Sequence, residues 1–276
     1  MKVKRRFTIL GCGSSPGVPR INGDWGACDP SNPKNRRLRA ALLIEQIDPA
    51  GNRTTIAIDS GPDFRAQMLA ANVRRLDAVI FSHPHADHLH GIDDIRGFVF
   101  AQGKRMPVYA DHQTMKRLRE GFDYCFATPP GGNYPPIVDG YLIDNVNAKL
   151  VIEGEGGPIP ILPLEQLHGD IISLGFRIGD LAYCSDVSGF PDGTVDRMKD
   201  LDVLIIDALQ YRPHPSHLSL SQALEWSQRL RPARTILTHM HIPLDYATVA
   251  AETPDDVEPA YDMMVVEQHV DLSDER

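Results

Sequence analysis

Apolar and polar positions alternate in short runs through the first sixty residues. Arg6 to Leu10, Ala41 to Gln46 and Thr54 to Asp59 read as strands, the last two joined by a turn at Asp48-Pro49-Ala50-Gly51-Asn52. Phe64 to Asn72 has helical spacing, and Leu76 to Phe81 is a β-rich apolar run that leads directly into Ser82-His83-Pro84-His85. A short strand at Pro107 to Ala110 and a helix at Gln113 to Tyr124 follow. Ala127 to Gly140 is then a loop dense in proline and glycine, suited to a lid, an arm or a spacer. Leu174 to Ile178 and Leu181 to Ser185 bracket Gly179-Asp180, which predicts a tight hairpin with Asp186 at the end of its second strand. Leu201 to Ala208 is a buried-type strand, Ser219 to Leu230 an amphipathic helix capped by Ser219, and Ala233 to Thr238 a strand ending at His239. With no internal repeat and no linker, the pattern predicts a single α/β domain over residues 1–276, two sheets packed face to face with helices outside.

Composition narrows the function. A chain of 276 residues, 42% hydrophobic, buries roughly three-quarters of its unfolded surface, so its fold needs neither disulfides nor a structural metal. A net charge of −9 does not provide the positive field that binding to duplex nucleic acid requires. Cys12, Cys28, Cys125 and Cys184 are scattered without a C-x-x-C pair, as suits a reducing cytoplasm. The apolar run Phe7 to Leu10 is too short for a signal peptide, and no stretch is long enough to cross a bilayer. A homodimer is compatible with the sequence but not demanded by it.

The chemistry concentrates in His83-Pro84-His85-Ala86-Asp87-His88, an H-x-H-x-D-H cluster. Four donors within six positions cannot all face one way on a helix or strand, so they suit a loop wrapped around ions. Two neighbouring divalent cations are the natural occupants. Imidazole with carboxylate suits zinc, manganese or iron, and Pro84 stiffens the loop that presents them.

This cluster resembles the di-metal loop of the metallo-β-lactamase superfamily, and the resemblance runs from about Phe7 to His241. It implies a four-layer αββα sandwich. It also implies two divalent ions, zinc or manganese, the first held by His83, His85 and the histidine of Leu167-His168-Gly169. Asp87 and His88 would hold the second. Asp186, after Ala182-Tyr183-Cys184-Ser185, matches the bridging carboxylate; a cysteine stands there in the β-lactamase branch, which argues against antibiotic hydrolysis. Leu237-Thr238-His239 selects His239 as the last ligand, with His241 as its replacement or support. Asp59, in Ile58-Asp59-Ser60-Gly61, resembles an aspartate that hydrogen-bonds a ligating histidine, although a plain strand-end turn explains it equally well.

The opening Leu10-Gly11-Cys12-Gly13-Ser14-Ser15-Pro16-Gly17-Val18-Pro19-Arg20 is similar to the phosphodiesterase branch, which includes the cyclic-phosphate phosphodiesterases of phosphonate breakdown and, more distantly, the tRNA-maturation endonucleases. Its glycines would let backbone N–H groups approach the site closely. In that branch a histidine about twenty residues before the last ligand is the general acid. His217 fits, with His214 as second choice, and together with Asp87 they form the expected catalytic set. Two cations roughly 3.5–4 Å apart would lower the pKa of a water between them, and His217 would protonate the leaving oxygen, a contribution of about 10²–10⁴-fold.

Some features depart from that branch. The phosphonate-pathway enzymes build a structural zinc from a C-x-C-x-x-C cluster and a histidine three residues past the last ligand. Here only Cys28 remains and Ile242 takes the distant position, so no structural zinc is expected. The segment Lys34 to Arg39 is locally basic, either a solvated loop or the rim of a phosphate site. Ala127 to Gly140 contains no lysine or arginine, so it is no arm for gripping RNA, and a small phosphodiester is the expected substrate. Asp93 and Asp94 are expected to cap or shield the metal loop, and His90, His112 and His269 to be structural. Thioester or lactone hydrolysis on the same cations is the alternative enzymatic reading. A non-catalytic nucleotide-binding module is the alternative of another class.

Overall fold

Residues 2–273 are described by the computed structural model, and their strands fall into two seven-stranded sheets. The first holds β1 (Lys2–Gly11), β2 (Ala41–Ile47), β3 (Arg53–Ile58), β4 (Ala78–Ile80), β5 (Met106–Ala110), β6 (Val138–Leu142) and the far C-terminal β14 (Met264–Asp271). The second holds β7 (Leu150–Ile152), β8 (Ile159–His168), β9 (Ile171–Ile178), β10 (Leu181–Cys184), β11 (Val203–Asp207), β12 (Arg234–Thr238) and β13 (Val257–Pro259). Their orders are β14-β1-β2-β3-β4-β5-β6 and β13-β12-β11-β10-β9-β8-β7.

The two-residue period explains the layering. Leu42, Ile44, Ile56, Ile58 and Ile80 point inward and pack with Ile161, Leu174, Phe176 and Ile178 of the second sheet in one core. Their sequence neighbours Leu43, Ala57, Val79 and Phe81 point outward into a second core. Helices cover that outer face: α1 (Phe64–Ala70), α2 (Ala86–Leu89), α3 (Arg96–Gln102), α4 (His112–Gly121) and α5 (Asp123–Phe126). On the other side α6 (Asp192–Arg197), α7 (Leu220–Leu230) and α8 (Tyr246–Glu252) lie against the second sheet, with Leu220, Ala223 and Val249 in the central core. This is the expected helix–sheet–sheet–helix sandwich. No helix of the described residues is long and apolar enough to cross a membrane.

The Gly179-Asp180 hairpin forms, with Leu181 opposite Ile178. Ser219 caps α7 through a capping box with Gln222, two orphan backbone donors being satisfied reciprocally. Elsewhere tertiary context redraws the pattern. The helix expected over Gln113 to Tyr124 is two, because the backbone at Phe122 leaves the helical region at φ −139° after Gly121. The helix from Phe64 stops at Ala70, and Asn72 takes a left-handed conformation that asparagine tolerates. The polar start of β1 becomes strand because β14 pairs along it, with Lys4 and Arg6 both reaching Glu267 at 2.7 and 3.0 Å. Sequence reasoning placed no element after Thr238, where the structure adds α8, β13 and β14.

Candidate metal centre

Strand direction assembles the site. β3, β4 and β5 run parallel, and β10, β11 and β12 run parallel. β8 is antiparallel to β9, which is antiparallel to β10, so β8 also ends at the same edge as β10. The C-terminal ends of these strands deliver Asp59, the 82–88 loop, His168, Asp186, Asp207 and His239 to one end of the sandwich. Asp59, Asp186 and His239 follow strands and adopt φ values of 67°, 53° and 57°. A left-handed residue costs free energy unless its surroundings hold it, and here it swings each side chain off the strand direction.

Six of the expected ligands meet around the seventh, Asp186. His83 Nε2 stands 3.0 Å from His85 Nδ1, which stands 3.3 Å from His168 Nε2. Asp186 Oδ1 faces that trio, 3.8 Å from His83 Nε2 and 3.9 Å from His168 Nε2. Its other oxygen, Oδ2, lies 3.2 Å from His88 Nε2 and 3.1 Å from His239 Nδ1, and Asp87 Oδ2 is 3.4 Å from His88 Nε2. One carboxylate thus presents an oxygen to each of two neighbouring donor sets. Donors around a tetrahedral zinc with 2.0–2.1 Å bonds stand about 3.4 Å apart, the middle of this range. Among the described residues, the buried His88 Nε2 and His239 Nδ1 have no hydrogen-bond partner, despite the nearby carboxylate. Converging donors that bond only poorly to one another fit divalent cations.

Charge says the same. Burial pushes the His83 imidazole well below its ordinary pKa, and His88 adds to the effect, so its ring is neutral and ready to ligate. Burial also lowers His168, to about 4, against the pull of Asp186. Burial works against charge on His239 too, but Asp186 outweighs it and raises this ring to about 9. His88 is likewise raised by Asp186 and Asp87 in spite of burial. Without a cation these rings hold protons that ligation would displace.

The groups behind the donors are in place. Asp59, fully buried, has Oδ2 2.7 Å from His88 Nδ1 and accepts from the Ser82 amide and hydroxyl, both at 2.8 Å. Asp59 thus stands behind His88 at the end of β3, in a left-handed conformation at φ 67°. Gly61 makes this contact feasible: a Cβ there would sit 1.9 Å from the Asp87 carbonyl oxygen. His168 Nδ1 donates to the Ser216 carbonyl at 2.6 Å, which leaves Nε2 as the lone-pair nitrogen. Ser185 Oγ donates to Asp186 Oδ2 at 2.7 Å, and Ser173 Oγ to its carbonyl at 2.8 Å.

His217 reaches the cluster, its ring stacked 4.8 Å from that of His239 and edge-on at 4.7 Å to that of His168. Its Nδ1 is 2.7 Å from Oδ2 of the fully buried Asp207, which also accepts from the Val187 amide at 3.0 Å. Sequence reasoning missed Asp207. The signal was available, since Val203 to Ile206 is an apolar run ending in an acid, as at Asp59. His214 lies further out, exposed, its ring 5.3 Å from that of His217.

Other expectations need correction. His241 is not brought into the donor set: Nδ1 is 2.8 Å from Ser14 Oγ and Nε2 2.6 Å from Arg20 Nη2, so both nitrogens are engaged. The amides of Gly13, Ser14 and Gly17 bond to Leu38, Met240 and Ser14 carbonyls, so these N–H groups stitch the turn to its neighbours and do not line the site. Asp93 and Asp94 are exposed, and Asp93 pairs with Arg96 at 2.7 Å; they neither cap nor shield the metal loop. Apart from the exposed Arg36, the basic segment is tied into the fold. Arg37 is buried and binds the Leu244 and His241 carbonyls, Arg39 pairs with Asp63 at 2.9 Å, and Lys34 lies over the Tyr246 and Tyr261 rings. Cys28 and Ile242 pack with Val18 and Trp25 in a small apolar cluster.

Residues 54–240 match the model of the β-lactamase superfamily domain, and the chain belongs to that family. Its His/Asp cluster is able to hold divalent cations. A crystal structure described as a new diphosphatase from the PhnP family is 31% identical, with a TM-score of 0.87 over 99% of this chain and 100% of that one. Human tRNase Z, short form, shares the fold at 16% identity, with a TM-score of 0.62 over 95% of this chain and 98% of that one. A Porphyromonas gingivalis protein (strain ATCC BAA-308 / W83) described as an octanoyltransferase is 32% identical over 242 residues, 87% of this chain and 47% of the relative. The chain therefore spans about half the length of that curated relative.

Proposed function

We propose that this chain hydrolyses small phosphodiesters with two divalent cations, zinc or manganese, and with His217 as general acid. His83, His85 and His168 would hold one cation, Asp87, His88 and His239 the other, with Asp186 between them. When bound, such a pair lowers the pKa of water toward neutrality and offsets the charge that builds on the phosphoryl group. The observation that carries the reading is the Asp207–His217 pair beside the donor cluster. Asp207 holds Nδ1, so Nε2 is the nitrogen left to give a proton to a leaving alkoxide. The relative described as a diphosphatase, similar over its whole length, supports phosphoryl chemistry. A complete set of donors favours a catalyst over a binding module that has lost its chemistry.

The test is bis(p-nitrophenyl) phosphate turnover by protein loaded with manganese or zinc. His217→Ala should lose about 10²–10⁴-fold in kcat while keeping its metal. Full activity in that variant would remove His217 from the role. The acyl chemistry in the name of the P. gingivalis relative supports thioester hydrolysis as the second reading, although this chain matches only 47% of that protein. Thioester, lactone and phosphodiester turnover measured at equal metal loading separates the two.

A further inference from the structure

Asp186 presents an oxygen to each donor set, yet its backbone is left-handed at φ 53°, a conformation that persists only when the surroundings hold it. A buried polar network beneath it supplies the hold. Gln166 lies on β8 two residues before His168, on the same inward face, and is fully buried. Its Nε2 donates to the Ser185 carbonyl at 3.0 Å and to Oγ of Ser173, its register partner on β9, at 3.1 Å. A carbonyl only accepts, so the nitrogen of the amide must face Ser185. Ser173 Oγ, which accepts from Gln166, spends its own proton on the Asp186 carbonyl at 2.8 Å. Ser185 Oγ gives its proton to Asp186 Oδ2 at 2.7 Å. Gln166 thus governs two serines, one bonded to the Asp186 backbone and the other to its carboxylate.

The same strands reach the 83–88 loop. The Leu174 amide, next to Ser173, donates to the Ser82 carbonyl at 2.9 Å, and Ser82 leads directly into His83. β9 therefore touches the loop through its backbone and Asp186 through Ser173, while Gln166 ties β9 to β8 and to the end of β10. Packing alone does not call for an amide here. Burying one costs free energy that an apolar side chain of similar size would not, and Gln166 Oε1 has no hydrogen-bond partner among the described residues. The strand also makes room for it: a Cβ at Gly175 of β9 would stand 2.4 Å from Oε1. A glycine inside a strand and a half-satisfied buried amide are each unfavourable. Both are explained if the hydrogen bonds of that amide position Asp186.

We infer that Gln166 is a positioning residue: through Ser173 and Ser185 it sets where the Asp186 carboxylate stands relative to the 83–88 loop, and so how closely the two cations are held. The inference rests on the two-cation reading above. Gln166 is not a ligand and moves no proton.

Electron paramagnetic resonance of the manganese-loaded protein tests this, because two manganese ions that share a carboxylate are magnetically coupled and the coupling weakens as they separate. The wild type should give the spectrum of a coupled pair. Gln166→Met, of similar size but without the donors, should still bind manganese by elemental analysis yet lose most of the coupling. Its kcat should fall about 10–100-fold with KM little changed. Ser173→Ala should weaken the coupling in the same way, and Ser173→Thr, which keeps the hydroxyl, should preserve it. If Gln166→Met does not fold, the two Ser173 variants decide. Wild-type coupling in Gln166→Met overturns the inference. So do Ser173→Ala and Ser173→Thr variants that behave alike, since the hydrogen bond would then be irrelevant. Failure of the two-cation reading shows separately, as a wild type that binds manganese without any coupling.

Discussion

The two sheets supply the centre in opposite ways. The first gives Asp59 and one tight loop after β4, so that His83, His85, Asp87 and His88 come from six consecutive positions. The second gives one residue per strand end: His168 from β8, Asp186 after β10, Asp207 on β11 and His239 after β12. The first half is a preformed claw, and the second closes on it only when four strands are in register. Asp186 joins the two, with one oxygen toward His83 and the other toward His88 and His239. The difference teaches that the local half carries most of the donors while the dispersed half decides whether two cations can be held close together.

The sharpest way to break the comparison is to remove the joining residue. Asp186→Ala should bring turnover to background and reduce bound metal measured by elemental analysis, although the 83–88 loop is untouched. A variant that retained both cations and activity would show that the claw suffices alone. A smaller effect is expected from Asp59→Asn, which weakens the hold on His88. Loss of such a supporting partner typically costs about 10–100-fold in metal affinity, measurable by competition with a chelator. His83 and His168 do not contact Asp59, so the first cation should be kept better than the second.

The smallest effect is on stability. His239 is raised to about 9 in the fold, whereas an unfolded histidine titrates near 6.5. Between those values the folded metal-free protein binds more protons than the unfolded chain. The contribution is complete below about pH 6.5 and is lost as pH climbs to about 9. The melting temperature of the metal-free protein should therefore fall across that window, by about 2–4 °C for each kcal/mol lost. The metal-loaded protein, in which the ring is already deprotonated, should not show the fall. Equal slopes with and without metal would contradict the hold of Asp186 on the His239 proton.

What was readable in the sequence follows the same division. His83, His85, Asp87 and His88 declare themselves because the motif is contiguous. His168, Asp186 and His239 are ordinary strand-end residues, legible only through a family resemblance that ranks them in chain order. Asp207 ends an apolar run as Asp59 does, but its partner His217 lies ten positions on, and only the tertiary structure joins the two. His241 was misjudged for a physical reason. Residues two apart share a face only while the strand continues, and His239 leaves it at φ 57°, which turns the next side chains toward Ser14 and Arg20. The basic run at Lys34 to Arg39 misled in the same way, since a buried Arg37 bonded to carbonyls from residues 241 and 244 cannot be told locally from a solvated one.

By itself the sequence determined the layered α/β plan, because strand and helix periodicities are set by backbone geometry over a few residues. It also determined the metal-binding loop, because coordination needs particular donor atoms and here they are contiguous. Only the tertiary structure decided which distant side chains complete the two donor sets, which carboxylate holds His217, and that His241 supports an arginine. Those outcomes depend on strand register and on left-handed turns at strand ends, where a single backbone angle redirects a side chain and no local pattern records the choice.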